Sequence, residues 1–243
     1  MIEIINLHKS FGKNLVLRGV NLCITKGETI VIIGRSGEGK SVLIKLIVGL
    51  LQPDLGVVKV EGEIVSELSA LQLYEMRRKF GFLFQGSALF DSMTVEENIG
   101  LPLVEAIHKM PQNKINKIVS EKLELVGLPG IQKLKPSELS GGMKKRVALA
   151  RALATNPEYI FYDEPTTGLD PIMSDSIDNM IKELSGKLNV TSIVVTHDMY
   201  SVKNVADKVA LLYEGIIYFI GTPDELINSN DKVITDFIKR TEI

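Results

Sequence analysis

Between a predicted strand and a predicted helix, the chain reads Gly34-Arg35-Ser36-Gly37-Glu38-Gly39-Lys40-Ser41, which fits the pattern G-x-x-x-x-G-K-[ST]. Its glycines let successive backbone N–H groups surround phosphate oxygens without Cβ collisions, and the next helix adds the positive end of its dipole. We expect all of these residues to form a nucleotide cradle. Lys40 should reach the β- and γ-phosphates, the Ser41 hydroxyl should ligate Mg²⁺, and the Glu38 side chain should point away from the phosphates.

The segments around this loop alternate between strand and helix patterns. Short β-branched or apolar runs predict strands at residues 2–7, 17–24, 29–33, 57–60, 81–85, 159–162 and 191–196. Helical spacing predicts helices at residues 41–50, 94–107, 113–126, 140–155 and 171–188. Strands that alternate with helices indicate a mainly parallel sheet covered on both faces. We therefore predict one α/β domain over residues 1–243, with a core at about 1–85 and 159–243 and a helical lobe at about 86–158.

The strand predicted at residues 159–162 is followed by two carboxylates, Asp163 and Glu164. Because the chain turns at the strand end, both side chains can address one site. Asp163 is then placed to hold Mg²⁺, and Glu164 to polarise a water for in-line attack on a γ-phosphate. Acidic residues after a strand also cap the next turn, and the phosphate loop is what favours the catalytic interpretation.

His197 follows the strand predicted at residues 191–196, at the carboxyl edge of the sheet, where ligands bind. It is a candidate catalytic residue at the same phosphate, although a plain strand-end hydrogen bond is the commoner role for such a histidine. His8 and His108 have no comparable setting, and we predict them to be surface residues.

The composition limits the classes of partner and compartment. A net charge of −2 provides no general basic surface, so we expect no nucleic acid to bind. The single cysteine, Cys23, excludes an internal disulfide framework and fits a reducing compartment. The amino-terminal segment lacks the pattern of a signal peptide. No uncharged apolar run reaches the roughly 18 residues that span a bilayer, so a membrane role requires a partner.

A second glycine-rich stretch, Leu139-Ser140-Gly141-Gly142-Met143, opens the helix predicted at residues 140–155. It makes another anion-binding helix N-terminus, although Ser140 taken alone is also an ordinary helix cap. With KKRVALARA at residues 144–152, it resembles the signature motif of the ATP-binding cassette (ABC) family, and the resemblance covers nearly the whole chain. It implies a P-loop NTPase fold with a RecA-like core, an antiparallel β subdomain and a helical subdomain.

The family pattern also implies roles for three single residues. Gln85 corresponds to the glutamine that senses Mg²⁺ and lies near the contact with the membrane subunit. His197 corresponds to the switch histidine that contacts the γ-phosphate. Phe11 falls where an aromatic ring commonly stacks on adenine, and a core-packing role is the alternative.

Further matches imply a homodimer. Ser140, Gly141 and Gly142 would touch the γ-phosphate of the nucleotide held by the opposite subunit. Asp170, in Gly168-Leu169-Asp170, resembles the loop that crosses the dimer interface. The resemblance thus implies ATP and Mg²⁺ at shared sites, and an interface that weakens on hydrolysis and moves attached membrane subunits.

Met143 replaces the glutamine that is usual in the signature. Together with LFQGSALF at residues 83–90 and MTVEENI at residues 93–99, it is similar to ATPases of the Mla/Mce lipid-transport systems. That similarity implies phospholipid as cargo, a multi-span permease and an MCE-domain lipid-binding protein as partners, and a peripheral position on the cytoplasmic face of the inner membrane. A neutral exchange also explains Met143, because methionine fills a similar volume.

Other functions stay open beside lipid transport. The same architecture serves small-solute importers or exporters and cell-division ATPases. The net charge and the single cassette disfavour a soluble ABC protein acting on DNA or ribosomes. The joint presence of Lys40, Asp163, Glu164 and His197 disfavours a binding module without catalysis. The segment at residues 228–243 has helical apolar spacing and either packs on the core or reaches a partner.

Overall fold

A computed structural model describes residues 1–106 and 110–241. The predicted surface position of His108, the end of the helix predicted at 94–107, and residues 242–243 lie outside the described residues. The strands are β1 (Ile2–Phe11), β2 (Asn14–Ile24), β3 (Thr29–Ile33), β4 (Leu55–Val60), β5 (Glu63–Ile64), β6 (Phe80–Leu83), β7 (Tyr159–Asp163), β8 (Thr191–Val195), β9 (Lys208–Tyr213) and β10 (Ile216–Gly221). The helices are α1 (Lys40–Ile47), α2 (Ala70–Arg78), α3 (Val95–Val104), α4 (Gln112–Leu125), α5 (Gly141–Ala152), α6 (Pro171–Leu188), α7 (Met199–Val205), α8 (Pro223–Ile227) and α9 (Lys232–Thr241).

A six-stranded sheet, ordered β10-β9-β3-β8-β7-β6, forms the centre of the fold. Its strands are parallel except β10, which pairs with β9 in the antiparallel sense. Every residue of β3 and β8 is buried, as expected for strands covered on both faces. The phosphate loop leaves β3 at the carboxyl edge of the sheet, where β7 and β8 also end. The topology therefore gathers the predicted site segments at one edge.

The second sheet is antiparallel, with the order β2-β1-β4-β5, and forms the predicted antiparallel subdomain. Its buried face includes Ile2, Leu17 and Ile24. These side chains share one apolar cluster with Leu43 and Leu46 of α1 and with one face of the central sheet. Burial of this face fixes α1 between the two sheets, and thereby fixes the end of the phosphate loop.

Helices α3, α4 and α5 pack on one another beside the central sheet. Thr94 and Glu97 form a reciprocal capping box at the start of α3, while Ser140 caps α5 and Asp170 caps α6, with Pro171 at its first turn. The apolar faces of these helices join a cluster that also contains Val31 of β3. The helical layer and the sheet therefore share a continuous core.

The sequence patterns missed α2, α7, α8 and the hairpin of β9 and β10. Glu214 and Gly215 connect the hairpin strands with φ angles of 48° and 79°, the combination of a two-residue type I′ turn. The strand predicted at 81–85 is wrong at its end, because β6 stops at Leu83 and Gln85 lies in a loop. Ser87 and Ala88 in that loop have left-handed φ angles of 61° and 47°, which end the extended conformation.

The carboxy-terminal segment forms α9, which packs on the large core through Ile234 and Phe237. Asp231 secures its start, because one carboxylate oxygen accepts the N–H groups of Val233 and Ile234 and the other accepts the Tyr218 hydroxyl. Of the two alternatives for residues 228–243, the structure shows packing on the core for the described residues of this segment. In the described ranges, no helix is long and apolar enough to cross a membrane.

Asp178 on α6 is a fully buried carboxyl group. Its Oδ2 accepts the Ser201 hydroxyl at 2.8 Å, while its Oδ1 has no hydrogen-bond partner in the described part of the chain. Burial raises the pKa of Asp178 to about 6 from its usual 3.8. Above pH 6 the fold buries a carboxylate that the unfolded chain would hydrate, so ionisation of Asp178 destabilises the native state. Below pH 4 both states are protonated and this penalty disappears.

We expect Asp178→Asn to raise the free energy of unfolding at pH 7 by about 1–2 kcal/mol, because it removes the buried charge. The gain should shrink toward zero at pH 4. Urea titrations of both proteins at the two pH values measure the difference. An equal effect at pH 4 and pH 7 would show that packing, and not ionisation, separates the two proteins.

Candidate functional site

The phosphate loop joins β3 to α1, and two of its glycines are required by the space available. A Cβ on Gly34 would lie 2.6 Å from the backbone oxygen of Leu212 on β9. Gly39 has a φ of 103°, and a Cβ there would meet Val16 and Leu17. No side chain caps α1, so its first N–H groups are available to an anion.

Lys40 folds back over the loop. Its Nζ donates to the backbone oxygens of Gly34 at 2.6 Å and Arg35 at 3.0 Å. Burial lowers the pKa of Lys40, whereas the charges of Glu164, Glu38 and Asp163 oppose this shift and favour the ammonium form. The ammonium group of Lys40 therefore lies at the phosphate loop, where it could contact a bound phosphate.

The Glu38 side chain is turned to the β9–β10 turn. Its Oε2 accepts the backbone N–H of Glu214 at 2.7 Å, and Glu38 does not line the cleft beside the loop. This hydrogen bond gives the acidic residue of the loop a structural partner outside the phosphate cradle. The remaining residues of the eight-residue motif, 34–37 and 39–41, all line the cleft.

The cleft has a volume of about 720 Å³, which suits a nucleotide-sized ligand. Its walls combine residues from both sheets, the phosphate loop and the loops after β6, β7 and β8. The predicted site residues that line it are Phe11, Gly34, Arg35, Ser36, Gly37, Gly39, Lys40, Ser41, Gln85, Asp163, Glu164 and His197. Residues that are distant in sequence are therefore neighbours around one space.

Glu164 and His197 contact each other at the carboxyl edge of the sheet. His197 Nδ1 lies 2.9 Å from Glu164 Oε1, and the hydroxyls of Thr167 and Thr196 donate to Oε2 at 3.1 and 3.5 Å. The Glu164 side chain is 15% exposed and that of His197 is 60% exposed. His197 does make a strand-end hydrogen bond, and its partner is the candidate catalytic carboxylate.

The backbone of Glu164 is in a left-handed conformation, with a φ of 47°. Its N–H donates to the backbone oxygen of Val195 at 2.8 Å, which anchors the turn after β7 to the end of β8. This turn lets Asp163 and Glu164 face the same cleft, as the sequence analysis expected of a strand end. Non-glycine residues seldom adopt this conformation, and such residues concentrate at functional sites.

The signature and interface residues lie elsewhere in the chain. Ser140, Gly141, Gly142 and Asp170 do not line the cleft formed by the phosphate loop. Ser140 accepts the N–H of Met143 at 3.2 Å, and the Met143 side chain packs against the large core. The two glycine-rich helix starts are therefore separate within one chain, with that of α1 at the cleft and that of α5 outside it.

Phe11 is 48% exposed, so it does not have the core-packing role considered as an alternative. Its ring lies at the cleft wall, with Lys9 Nζ 5.6 Å from the ring centroid. The cleft is also lined by three residues of α9 that the sequence patterns did not predict, namely Phe237, Arg240 and Thr241. Nothing in their spacing signalled this, because only the packing of α9 brings them there.

Comparison with known proteins agrees with this arrangement. The family model described as ABC transporter matches residues 17–167. The intermembrane phospholipid transport system ATP-binding protein MlaF of Haemophilus influenzae is 43% identical over 239 residues, 98% of this chain and 90% of that protein. The methionine import ATP-binding protein MetN of Haemophilus ducreyi is 40% identical over 246 residues, 99% of this chain and 71% of that protein.

Solved structures give the same result at the level of the fold. CbiO1 from Clostridium perfringens, part of the ABC transporter complex cbiONQ, has a TM-score of 0.87 at 29% identity and covers 99% of this chain and 97% of its own. The dimeric post-hydrolysis structure of the ATP-binding cassette MJ0796, bound to ADP and Pi, has a TM-score of 0.82 at 33% identity, covering 92% and 99%. The chain therefore belongs to the ABC transporter family, as one of its ATP-binding, ATP-hydrolysing subunits.

Proposed function

We propose that this ABC ATPase forms a homodimer around ATP and drives the movement of phospholipid between membranes. The observation that carries the chemistry is the cleft in which the phosphate loop faces Glu164 and His197. The 43% identity to a phospholipid-transport ATPase supports the cargo. The chain would work as one domain, with the helical lobe at residues 86–158 acting against the core.

Glu164 is the proposed general base. It takes a proton from water as the water oxygen attacks the γ-phosphorus, and the bond from this phosphorus to the β–γ bridging oxygen breaks. ADP leaves with that electron pair. Lys40 binds the phosphate oxygens, and Arg35, Ser36 and the loop N–H groups surround them. His197 contacts the γ-phosphate and orients Glu164 through their 2.9 Å contact.

The residues beside Glu164 fit a magnesium ion. Burial raises the pKa of Asp163, and the Glu164 charge raises it further, so a nearby cation would favour the carboxylate. Ser41, Gln85 and Asp163 present oxygen atoms, which Mg²⁺ prefers. Within the described residues there is no group of three or more His, Cys, Asp or Glu side chains that could hold a metal ion. When bound, the ion would supply charge neutralisation at the phosphate oxygens.

The position of the signature residues supports the dimer. Ser140, Gly141 and Gly142 start α5 outside their own cleft, so they remain free to meet the γ-phosphate in the cleft of a second copy. Asp170 would then lie at the interface between the copies. Each active site would be complete only in the dimer, and hydrolysis would remove contacts that hold it together.

A groove beside Gln85 suits a membrane permease. It has a volume of about 510 Å³ and is lined by Phe82, Phe84, Phe90, Leu101 and Arg151, among others. Phe84 and Phe90, which are 45% and 49% exposed, both line this groove, and apolar residues exposed together mark sites that bind other proteins. We propose that a cytoplasmic helix of the permease fills this groove, and that the ATPase is thereby held at the cytoplasmic face of the inner membrane.

The partners distinguish lipid transport from the alternatives. The 40% identity to a methionine import ATPase keeps a small-solute transporter as the second candidate. We expect affinity purification of the chain from its native membranes to recover a multi-span permease together with an MCE-domain lipid-binding protein, identified by mass spectrometry. Recovery of a permease with a solute-binding protein would instead support the second candidate.

A pair of variants tests the groove in the same purification. We expect Phe90→Asp to lose at least ~90% of the permease, because the charge would be buried in the contact. Leu55→Asp is the matched control, since Leu55 is an apolar residue, 63% exposed, on β4 and outside the groove. Full recovery of the permease with Phe90→Asp would refute this docking site.

A further inference from the structure

Lys145 on α5 is a buried lysine, only 4% exposed. No carboxylate forms a salt bridge with it in the described part of the chain. Instead its Nζ donates to two backbone oxygens, that of Gln85 through a short contact and that of Glu164 at 3.4 Å. Burying a cation is costly unless its N–H groups have hydrogen-bond partners, so the hydrogen bonds to these two carbonyls must offset the cost of burying Lys145.

The two carbonyls belong to loops that are far apart in the sequence. Gln85 lies in the loop after β6, ahead of the left-handed residue Ser87, and Glu164 forms the left-handed turn after β7. Arg151, two turns further along α5, donates to the oxygens of Ser87 at 2.9 Å and Ala88 at 2.7 Å. Helix α5 thus holds the first loop at three carbonyls, and Lys145 is the residue among these donors that also reaches the Glu164 turn.

The electrostatics agree with this placement. Burial lowers the pKa of Lys145, and the charges of Asp163 and Glu164 oppose that shift. The ammonium group therefore lies where two acidic residues stabilise it without binding it directly. A neutral apolar side chain in its place would leave the Gln85 and Glu164 carbonyls without these donors.

We infer that Lys145 is a positioning residue that ties the loop of Gln85 to the backbone of Glu164, so that α5 sets the orientation of the base. This inference rests on the proposed role of Glu164. It gives the helix of the signature motif a second task, performed within its own subunit. A shift of α5 or of the Gln85 loop would then be transmitted through Lys145 to the backbone of Glu164.

The test compares Lys145→Met, Lys145→Arg and Lys144→Met by steady-state ATP hydrolysis. We expect Lys145→Met to lower kcat at least ~10-fold with KM for ATP within ~3-fold of wild type, because the cradle is unchanged and the base is displaced. Lys145→Arg keeps the donors and should recover at least a third of kcat. Lys144→Met, which changes the neighbouring half-buried lysine, should leave both parameters unchanged.

Several results would overturn the inference. One is wild-type kcat in Lys145→Met, and another is loss of activity through KM alone. If Lys145→Met does not fold, Lys145→Gln is measured instead, because its side chain is shorter and uncharged but still carries N–H donors. A kcat lowered at least ~3-fold then supports the link, and an unchanged kcat refutes it. Glu164→Gln runs in parallel. If it is inactive while Lys145→Met is normal, the base role stands and only the link fails.

Discussion

Glu164→Gln should bind ATP within about threefold of the wild-type affinity and hydrolyse it 10²–10⁴-fold more slowly, the usual contribution of a general base. Glutamine has nearly the same shape and can still accept the hydroxyls of Thr167 and Thr196, so the cleft keeps its walls. It cannot take a proton from the attacking water. ATP should therefore persist at the site and keep the dimer closed.

Three measurements test this expectation. Phosphate release gives kcat, a fluorescent ATP analogue gives Kd, and size-exclusion chromatography with ATP should shift the variant from monomer to dimer. Glu38→Gln is the matched control, because it removes an acid from the phosphate loop whose carboxylate binds the N–H of Glu214 outside the cleft. Glu38→Gln should retain turnover. Normal turnover in Glu164→Gln would exclude Glu164 as the base.

Lys40→Ala should weaken ATP binding by about 100-fold, which corresponds to about 2.7 kcal/mol. Its Nζ now donates to the Gly34 and Arg35 carbonyls at 2.6 and 3.0 Å and would exchange these for phosphate oxygens. Hydrogen bonds between ionised groups are the stronger class, and here the site is partly shielded from water. Alanine at residue 40 removes the positive charge that α1 would otherwise place beside the triphosphate.

Isothermal titration with ATP and Mg²⁺ measures the loss. Lys45→Ala is the control on the same helix, because Lys45 is exposed and does not line the cleft. It should bind ATP as the wild type does. If Lys40→Ala also binds normally, the triphosphate is held by the loop backbone alone, and the assigned role of Lys40 is wrong.

Local motifs predicted the parts of the site in which one short segment provides both the loop conformation and the functional side chains. The phosphate loop follows a fully buried strand, β3, and the acidic pair follows β7, so each motif could be read with its strand. The type I′ turn at Glu214 and Gly215 was not predicted, because such turns favour asparagine, aspartate or glycine at the first central position, where this chain has glutamate. The capping box of Ser69 and Gln72 was a usable signal for α2.

Tertiary packing determines the positions of the site residues that the sequence patterns did not predict. The cleft-facing position of Phe237 depends on the approach of α9 to the core, and no spacing encodes a contact with a loop some two hundred residues away. In the sequence Lys145 is one of several basic residues in KKR, and its burial and its hydrogen bonds to two distant carbonyls become visible only in the fold. Sequence patterns therefore predicted most residues that line the cleft, but not residues whose positions depend on contacts between distant segments.

The left-handed backbone of Glu164 has an evolutionary consequence. Such a conformation costs a side chain about 1 kcal/mol or more, whereas asparagine or glycine adopts it with less strain. If selection acted on stability alone, the glutamate would tend to be replaced. We therefore expect glutamate to be kept at this position only where selection also acts on ATP turnover. A homologous cassette with asparagine or glycine here should prove to be a degenerate partner that binds ATP, gains loop stability and leaves hydrolysis to another subunit.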